Sequence, residues 1–407
     1  MIEIIIIFSL IAGLATYIIA SSKEGSFLNV FTPWILLFFP ANYILELVHI
    51  YFYGGSGSLY AYFYCYLTYT LSFIVLVVVY FNFPNIKVKL PFKQVSIGGY
   101  LPYLFLFLSF FLYLPILIEF SEFILSPREL YMMTRTGYGL NFFLSSTLMY
   151  IAFILFLFKR AFFKTEKFFI FIVCTILAIL HGSKGQILTL LLILMFYQAY
   201  INGFRVKFVK FALYTMIFTL IVILLFSLTL FGVDDIFLIE AISSYSDYTR
   251  NAMMVIDSDM SPLFGRLTLE DTVYSRIPRS IYPDKPKDFG NFYLAKEFYP
   301  EWFYLDTGSP SFGVGVQFAD FGVFSIFYHL LWSVLLGILL KSFVTRLRTY
   351  KNPSDFIMVL FLSGITLIPL GAGYLLPEHF FIAFGLAKLL RLNFFTSKHR
   401  ISGSELR

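Results

Sequence analysis

Long uninterrupted apolar runs are the feature that most restricts the fold of this chain. Residues 4–20 and 211–231 contain no charged side chain. Each run is close to the roughly 20 residues that a helix needs to cross about 30 Å of hydrocarbon. Charged residues make up only 13% of the 407 residues, too few to cover a soluble domain. We therefore expect an all-α polytopic membrane protein.

The apolar runs predict about eleven transmembrane helices. The first run has no basic segment before it and no small-residue cleavage site after it, so we interpret it as a retained span. The sixth and seventh runs are short and closely joined. The predicted spans are residues 2–20, 31–53, 59–82, 99–120, 140–158, 168–182, 185–201, 209–231, 313–340, 355–376 and 378–395.

The charges between the spans predict the orientation. With the N-terminus outside, twenty of the thirty Lys and Arg residues fall on the cytoplasmic side, together with only four of the 24 acidic residues. This is the bias of the positive-inside rule. It predicts a cytoplasmic C-terminus and leaves ten cations on the outer side: Arg128, Arg135, Lys184, Arg250, Arg266, Arg276, Arg279, Lys285, Lys287 and Lys296.

The spans divide the chain into three predicted segments. Residues 1–231 form an N-terminal bundle of about eight spans, and residues 313–407 form a C-terminal bundle of about three with a short cytoplasmic tail. Residues 232–312 form one long outer loop. Because this loop is rich in aromatic residues, we expect it to be ordered and partly helical rather than disordered.

The most basic part of the outer loop is YSRIPRSIYPDKPKD, residues 274–288, called the basic segment below. Its prolines stiffen the backbone around Arg276, Arg279 and Lys285, which lowers the entropy lost when cations bind an anion. We expect either a phosphate-type ligand here, or anchoring to lipid headgroups and pairing with nearby aspartates.

Three further patterns are candidate anion sites. Arg135 lies in RTGYG, and Lys184 lies in HGSKG at the start of a span, where free helix N–H groups favour an anion. Glycine-rich turns without a ligand are the alternatives. Arg250 lies in YTRNAMMVID, for which we expect an amphipathic helix with Met253, Met254 and Ile256 facing lipid.

Acidic residues matter because cations bind an anion but do not accept a proton. Asp320 and Glu378 fall near the outer ends of predicted spans, where partial burial suits a carboxylate to general base chemistry. His181 and His379 are alternatives. Outer-side acids also include Glu46, Glu119 and Asp306. The histidines lack metal-ligand spacing and the two cysteines lie in apolar runs, so we expect neither a metal site nor a disulfide.

The order of these motifs resembles that of the O-antigen polymerase (oligosaccharide repeat unit polymerase) family. The chain has YTRNAMMVID, then FGRLTLEDTVYSRIPRSIYPDKPKD, then GSPSFGVGVQFADFG entering a span, with RTGYG and GSKG upstream. IPRSIYPDKP is the most specific of them. Lys184 departs from the arginine that relatives often have, which weakens a bidentate phosphate contact there.

The resemblance implies a metal-independent glycosyltransferase of the C-type integral-membrane class, without a cofactor. Its substrate would be an oligosaccharide repeat unit on undecaprenyl pyrophosphate, polymerised at the periplasmic face of the bacterial inner membrane. The pyrophosphate would be bound by Arg135, Lys184, Arg250, Arg276, Arg279 and Lys285, and the base would be Glu378 or Asp320. A chain-length-regulating co-polymerase is an implied partner.

Two other functions use related substrates. An O-antigen ligase would take the same donor lipid and a different acceptor. A lipid-linked oligosaccharide flippase would show repeated spans with ionisable residues near the midplane, whereas here they concentrate on one face. The positive charge belongs to the loops of a membrane protein, and no module for nucleic acid is present.

Overall fold

The computed structural model describes residues 1–84, 99–124, 126–134, 137–159, 164–227, 246–277, 281–304, 310–367 and 377–390. Within these ranges the regular elements are helices. Arg135, Arg279 and Asp306 lie outside them, and the side chain of Lys184 is also not described.

Seventeen α-helices are labelled here in chain order. They are α1 Ile2–Glu24, α2 Leu45–Tyr53, α3 Leu59–Asn82, α4 Leu101–Glu119, α5 Pro127–Met133, α6 Gly139–Phe158, α7 Lys164–Leu180, α8 Lys184–Tyr200, α9 Phe208–Ser227, α10 Asp247–Ile256, α11 Arg266–Tyr274, α12 Asn291–Phe298, α13 Pro300–Tyr304, α14 Gly315–Phe321, α15 Ser325–Tyr350, α16 Pro353–Leu362 and α17 Pro377–Leu389.

Six helical stretches within the described ranges are long and apolar enough to cross a membrane. They are Ile2–Glu24, Trp34–Tyr53, Leu59–Asn82, Leu101–Glu119, Gly139–Phe158 and Gly315–Tyr350. Three further predicted spans overlap shorter apolar stretches of the described residues, in α8, α9 and α16. The all-helical, polytopic character of the chain is thus confirmed.

The chain divides into two compact units. Unit 1 comprises Met1–Ile86, Arg205–Lys341 and Leu370–Leu375; unit 2 comprises Lys87–Phe204, Ser342–Pro369 and Leu376–Arg407. These units do not follow the three segments expected from the sequence. Unit 1 joins the first spans to the long outer loop and to most of α15.

In unit 1, α3 is the central helix, largely buried, with α1 and α10 packed on it. Gly337 of α15 lies so close to α3 that an added Cβ would come within 2.9 Å of the Leu76 carbonyl oxygen. Small residues permit such close backbone approach between helices in a membrane.

The helix before α2 is interrupted by Pro40, which cannot donate a backbone hydrogen bond. Two π-helical turns, Trp34–Phe38 and Pro40–Ile44, replace regular α-helix here. The Asn42 side-chain amide donates to the Phe38 carbonyl at 2.9 Å, and the Asn42 carbonyl accepts from the Tyr66 hydroxyl at 2.6 Å. The disturbed backbone groups are therefore satisfied inside the protein.

Contacts between loops group the helix ends of unit 1 into two sides. On one side, the Phe27 amide donates to the Val206 carbonyl at 2.9 Å, and Lys341 Nζ donates to the Phe83 carbonyl at 2.6 Å. On the other side, the Ser58 amide donates to Asp257 at 2.7 Å. The first group consists of ends expected in the cytoplasm, and the second of ends expected outside.

Residues 246–304, called the helical loop below, contain the short helices α10–α13. Together with α14 they enclose a small apolar core that includes Val255, Leu267, Leu294 and Phe312. Gly315 of α14 approaches α10 closely, since an added Cβ would lie 2.8 Å from Ala252 Cα. The helical loop is therefore packed as a body of its own on the ends of the spans.

In unit 2, α6 is the central helix. Its residues from Ser145 to Leu157, apart from Leu148, are buried, and α4, α7 and α8 pack on it. Cys174 on α7 is buried among apolar side chains, as Cys65 is in unit 1. Both cysteines are small core residues, as their sequence context predicts.

A buried ion pair ties the C-terminal end of α15 to the start of α16 within unit 2. Arg346 Nε donates to Asp355 Oδ1 at 3.0 Å, and Asp355 is 1% exposed. The Asn352 side chain caps α16 by accepting from the Asp355 amide at 2.8 Å, and donates to Asp355 Oδ2 at 2.6 Å. Removing one member of such a pair leaves a charge buried without its counterion.

We predict that Asp355→Ala lowers the free energy of unfolding by roughly 3–5 kcal/mol, because Arg346 loses its counterion. Thermal unfolding of the purified protein in detergent measures this. Asp259→Ala removes an exposed aspartate and is the control, with an expected change within about 0.5 kcal/mol. Equal thermal unfolding midpoints for Asp355→Ala and Asp259→Ala would contradict the stabilising role assigned to the Arg346–Asp355 ion pair.

Candidate functional site

A polar cluster lies where α2, α3 and α10 meet in unit 1. It consists of Glu46, His49, Tyr62, Asp247 and Arg250, and is called the Arg250 cluster below. The Arg250 guanidinium donates to the Asp247 carboxylate, one turn earlier on α10, and to Nδ1 of His49 on α2. Since arginine is always a donor, His49 Nδ1 accepts, and its Nε2 donates to Ser56 Oγ at 3.2 Å. The cluster therefore holds His49 in its neutral form.

Glu46 is the most deeply buried member of the Arg250 cluster, with no exposed surface. Its Oε1 accepts from the Tyr62 hydroxyl at 2.7 Å, and its Oε2 accepts no hydrogen bond from the described residues. An ionisable side chain inside a transmembrane segment is costly and usually functional. Glu46 precedes His49 by three residues in an apolar run, so both lie on one helix face, a signal that the sequence interpretation did not use.

Helix α10 is fixed to the spans by hydrogen bonds on either side of Arg250. Thr249 Oγ1 donates to Asn42 Oδ1 at 2.8 Å and lies 3.3 Å from the Tyr69 hydroxyl. Asn251 donates to the Ser311 carbonyl at 2.9 Å and accepts from the Tyr299 hydroxyl at 2.7 Å. The backbone that carries Arg250 is thus held on two sides.

The expectation that the apolar face of α10 contacts lipid is wrong. Met253 has no exposed surface, Ile256 is 6% exposed and Met254 is half-buried. Met253 packs against the turn before α3, where a Cβ on Gly57 would lie 2.9 Å from Met253 Cβ. The apolar stripe faces protein because α10 packs against α3 and α14.

Burial and ion pairing act against each other on the Asp247 carboxyl. Burial raises its pKa, while the neighbouring Arg250 guanidinium lowers it. The side chain of Asp247 is 51% exposed and that of Arg250 only 13%. Asp247 therefore lies at the solvent-facing end of the cluster, and Arg250 lies between it and the buried residues. A charged pair in this position offers an anion a guanidinium that is already oriented.

Two cations of the basic segment contact the C-terminal end of α11. Lys285 Nζ donates to the carbonyls of Tyr274 and Ile277, each at 3.0 Å, and lies 4.9 Å from the Phe289 ring centroid. Arg276 donates to the Thr272 carbonyl. Cations stabilise the last carbonyls of a helix. These contacts close a loop whose sequence contains Pro278 and Arg279.

Other outer cations of the helical loop pair with acids. Arg266 donates to Glu270 at 2.8 Å, which raises the pKa of the guanidinium, and it lies over the Tyr293 ring. Lys296 donates to Asp288 at 2.8 Å, and this bond lowers the pKa of that carboxyl. Local pairing therefore accounts for part of the cationic charge that the sequence predicts on the outer side.

Asp320 lies at the opposite end of α11 from Lys285. It is fully buried; its Oδ1 accepts from the Leu267 amide at 2.9 Å, and its Oδ2 accepts from the Thr268 amide at 2.8 Å and hydroxyl at 2.6 Å. It thereby satisfies free N–H groups of the first turn of α11. Nine residues of helix put about 13 Å between the two ends, so Asp320 and Lys285 do not share one phosphate.

Glu378 begins the first turn of α17 in unit 2 and is half-buried. Its neighbour His379 is fully buried, accepts from the Leu367 amide at 3.1 Å through Nε2, and stacks on Phe361 with ring centroids 4.0 Å apart. His379 thus orients the start of α17, and Glu378 is the more accessible of the two.

His181 organises the HGSKG turn in unit 2. Its Nε2 lies 3.0 Å from Ser145 Oγ and its Nδ1 lies 2.7 Å from the Gln186 side chain, while its ring meets Tyr113 at 4.3 Å between centroids. Since Gln186 Oε1 can only accept, Nδ1–H of His181 is the donor in that contact. Every polar atom of the ring is engaged, so His181 has a positioning role for the turn that carries Lys184.

The comparison with known proteins is decisive for the family. The chain is 39% identical over 378 residues to an O-antigen polymerase of Salmonella typhimurium strain LT2, which covers 90% of both chains. An O-antigen polymerase of Salmonella typhi matches with the same identity and coverage.

The chain belongs to the O-antigen polymerase family. It is accordingly an enzyme, a polymerase of the glycosyltransferase type, and a multi-pass membrane protein. No protein-family model matches the chain, and no solved structure matches it.

The site residues predicted from the sequence fall in two groups, one in each unit. One group lies in or beside the helical loop of unit 1. Arg250 is on α10 and belongs to the Arg250 cluster, and Arg276, Lys285 and Asp320 lie around α11. Glu378 and the HGSKG turn lie in unit 2. In the parts of the chain that the structure describes, no group of three His, Cys, Asp or Glu residues is arranged to hold a metal ion.

Asp271 on α11 gives a pH-dependent test of the packing of the helical loop. Burial under the backbone of Gly290 raises the pKa of its carboxyl to about 6, while Arg276 opposes the shift. The folded protein then binds more protons than the unfolded chain between about pH 4 and 6, so this group makes stability fall as pH rises.

We predict that Asp271→Asn becomes increasingly stabilising, relative to the wild type, between pH 4 and pH 7.5. The gain is at most about 3 kcal/mol, from about two pKa units. Thermal unfolding across this pH range measures it. Asp288→Asn is the matched control with the opposite sign, because Lys296 lowers the pKa of Asp288. A stability difference for Asp271→Asn that is constant with pH would contradict this assignment.

Proposed function

We propose that this chain polymerises O-antigen repeat units carried on undecaprenyl pyrophosphate. The growing chain is transferred from its carrier onto a new lipid-linked unit at the periplasmic face of the bacterial inner membrane. The observation that carries this proposal is the 39% identity to O-antigen polymerases over 90% of the chain. We also propose that the C-terminus is cytoplasmic, because the positive-inside rule puts the side with most of the Lys and Arg residues in the cytoplasm.

The leaving group of this reaction is a lipid pyrophosphate, so negative charge develops on phosphate oxygens at the membrane surface. Fixed cations stabilise such charge without a metal ion. We propose that Arg250 contacts the pyrophosphate from the Arg250 cluster, where Asp247 and His49 hold its guanidinium in a fixed orientation. Arg135, Lys184 and Arg279 are proposed as further contacts on the basis of their motifs.

Arg276 and Lys285 take a less direct part in this proposal. Both donate to carbonyls of α11, so their charges stabilise the end of that helix. The loop they close contains Arg279, and its prolines restrict the backbone. Arg276 and Lys285 would therefore shape the segment that presents Arg279 and add a positive field near the phosphate.

The base accepts the proton of the acceptor hydroxyl as its oxygen attacks the anomeric carbon of the donor sugar. The bond from that carbon to the phosphate oxygen then breaks, and undecaprenyl pyrophosphate leaves. Of the two predicted acids we propose Glu378, because it is accessible at the start of α17. Asp320 uses both oxygens to hold α11, which supports a structural role.

Deletion of the gene tests the function in the organism. We predict that the surface polysaccharide is reduced to lipid A core carrying a single repeat unit, because units still reach the periplasm but are not joined. Gel analysis of the lipopolysaccharide measures this. Uncapped core with carrier-linked polymer would instead indicate a ligase, and absence of periplasmic product a flippase. Surface chains of normal length would contradict the proposal.

Substitutions test the proposed chemistry in the complemented deletion strain. We predict that Arg135→Ala and Arg279→Ala abolish chain extension, and that Arg250→Ala and Glu378→Gln slow it by about 100-fold or more, without lowering protein level. Arg266→Ala removes an outer arginine that pairs with Glu270 and is the matched control, with an expected change below about twofold. Wild-type chain lengths for Arg250→Ala would remove Arg250 from the proposed site.

A further inference from the structure

Glu46 is a buried acid to which the proposed reaction assigns no role. It has no exposed surface, and it lies on α2 within the apolar stretch Trp34–Tyr53, which is long enough to cross a membrane. A carboxyl group in such a segment is costly to bury and is usually kept for a function. The hydrogen bonds that lead away from Glu46 indicate what this function is.

A chain of hydrogen bonds connects Glu46 to Arg250. Glu46 Oε1 accepts from the Tyr62 hydroxyl at 2.7 Å, and the oxygen of that hydroxyl accepts from the Ser56 amide at 3.1 Å. Ser56 Oγ accepts from His49 Nε2 at 3.2 Å, and Nδ1 of the same ring accepts from the Arg250 guanidinium. The guanidinium is therefore linked to the buried carboxyl group through four successive hydrogen bonds.

The direction of each hydrogen bond in this chain follows from the groups at its ends. An arginine can only donate, so His49 Nδ1 accepts and Nε2 carries the ring proton. The Ser56 amide also can only donate, so the Tyr62 oxygen accepts from it and the Tyr62 proton is directed to Glu46. The residue at position 46 must therefore accept a hydrogen bond, but the chain does not require it to be charged.

The turn between α2 and α3, residues 54–58, carries the middle of this chain. Gly54 begins the turn with a φ of 85°, which favours glycine. Ser56 connects the turn to α2 and α3, and the Ser58 amide donates at 2.7 Å to Asp257, at the C-terminal end of α10. A shift of this turn would therefore alter the contacts that hold α10.

We infer that Glu46 is a positioning residue for the site in which Arg250 contacts the pyrophosphate. This inference rests on the proposed function. Glu46 fixes the Tyr62 hydroxyl and thereby the turn, and the turn fixes the His49 ring that holds the guanidinium. Because a guanidinium presents its donors in a planar fork, a change in its orientation removes the match with phosphate oxygens. Glu46 thus acts on the substrate only through Arg250.

A second tyrosine–glutamate hydrogen bond on α3 provides a matched control. The Tyr80 hydroxyl donates to Glu24 Oε1 at 2.7 Å, the same distance as that between Tyr62 and Glu46. The two tyrosines are separated by about 27 Å along α3. Tyr80→Phe therefore removes the same kind of bond far from the Arg250 cluster.

The test measures binding of farnesyl pyrophosphate, a short lipid pyrophosphate, to the purified protein in detergent by isothermal titration calorimetry. The Kd should rise about tenfold for Glu46→Leu and for Tyr62→Phe, and less than about threefold for Glu46→Gln, because glutamine keeps an acceptor for Tyr62. Both Glu46 variants lack the ionisable group, so their difference reports the hydrogen bond and not the charge. Tyr80→Phe should change the Kd less than about twofold.

Two combined variants separate positioning from a general loss of structure. Glu46→Leu together with Tyr62→Phe should weaken binding no more than either change alone, because both break one chain. In an Arg250→Lys protein, Glu46→Leu should change the Kd less than about twofold, because a flexible ammonium group does not depend on the orientation that His49 gives a guanidinium. A structural defect would weaken binding by the same factor with either residue at position 250.

Three results would overturn the inference: unchanged binding for Glu46→Leu and Tyr62→Phe, equal weakening by Glu46→Leu in the wild-type and Arg250→Lys proteins, or equal weakening by Tyr62→Phe and Tyr80→Phe. If thermal unfolding shows that Glu46→Leu does not fold, Tyr62→Phe in both proteins decides the question.

The readout requires no sugar transfer, so it fails separately from the proposed function. A wild-type protein that extends chains and binds farnesyl pyrophosphate, with binding unchanged in Glu46→Leu and Tyr62→Phe, would overturn this inference alone. A gene deletion that leaves chain length normal would overturn the proposed function, even if the binding results followed the expected pattern. A wild-type protein that does not bind farnesyl pyrophosphate would overturn the pyrophosphate site and this inference with it.

Discussion

The position of the helical loop depends on which groups form hydrogen bonds with the backbone near Pro40, where a transmembrane helix is interrupted. In hydrocarbon, polar backbone groups must find partners inside the protein, and Pro40 removes one donor from its helix. Asn42 provides a partner for this backbone, because its side-chain amide donates to the Phe38 carbonyl. Its Oδ1 accepts from Thr249 on α10. Asn42 therefore both satisfies a backbone carbonyl of the interrupted helix and holds α10, the helix that carries Arg250. The Arg250 cluster follows from this, because α10 is held directly above Glu46 and His49.

The cations of the helical loop differ in what they contact. Arg266, Lys296 and Lys285 are engaged with acids or helix carbonyls, and these contacts build the helical loop. Arg250 differs from them because it is largely buried and contacts both an acid and a neutral histidine on a transmembrane helix. A guanidinium oriented in this way loses little entropy when it binds an anion. We therefore propose that Arg266, Lys296 and Lys285 stabilise the helical loop, whereas Arg250 binds the anion.

The sequence predicted much of the fold because apolar runs and charge sorting act on whole segments. The helical character and the family motifs were accessible in this way. It did not predict the face that α10 presents, since Met253 and Ile256 look like lipid contacts until the packing of α10 on α3 and α14 is known. It did not separate Asp320 from Glu378 either, because a carboxylate that holds the first turn of α11 and one that accepts a proton can have similar sequence neighbours. Such roles depend on tertiary contacts that no local pattern encodes.

The central claim is that the chain itself joins lipid-linked repeat units and releases one lipid pyrophosphate for each bond formed. The direct measurement is reconstitution of the purified protein in liposomes with undecaprenyl-pyrophosphate-linked repeat units as the sole sugar substrate. Polymer length and released undecaprenyl pyrophosphate are followed together. The account predicts a ladder of carrier-linked chains with one carrier released per glycosidic bond. Intact repeat units with no released carrier, under conditions where the protein is folded, would contradict it.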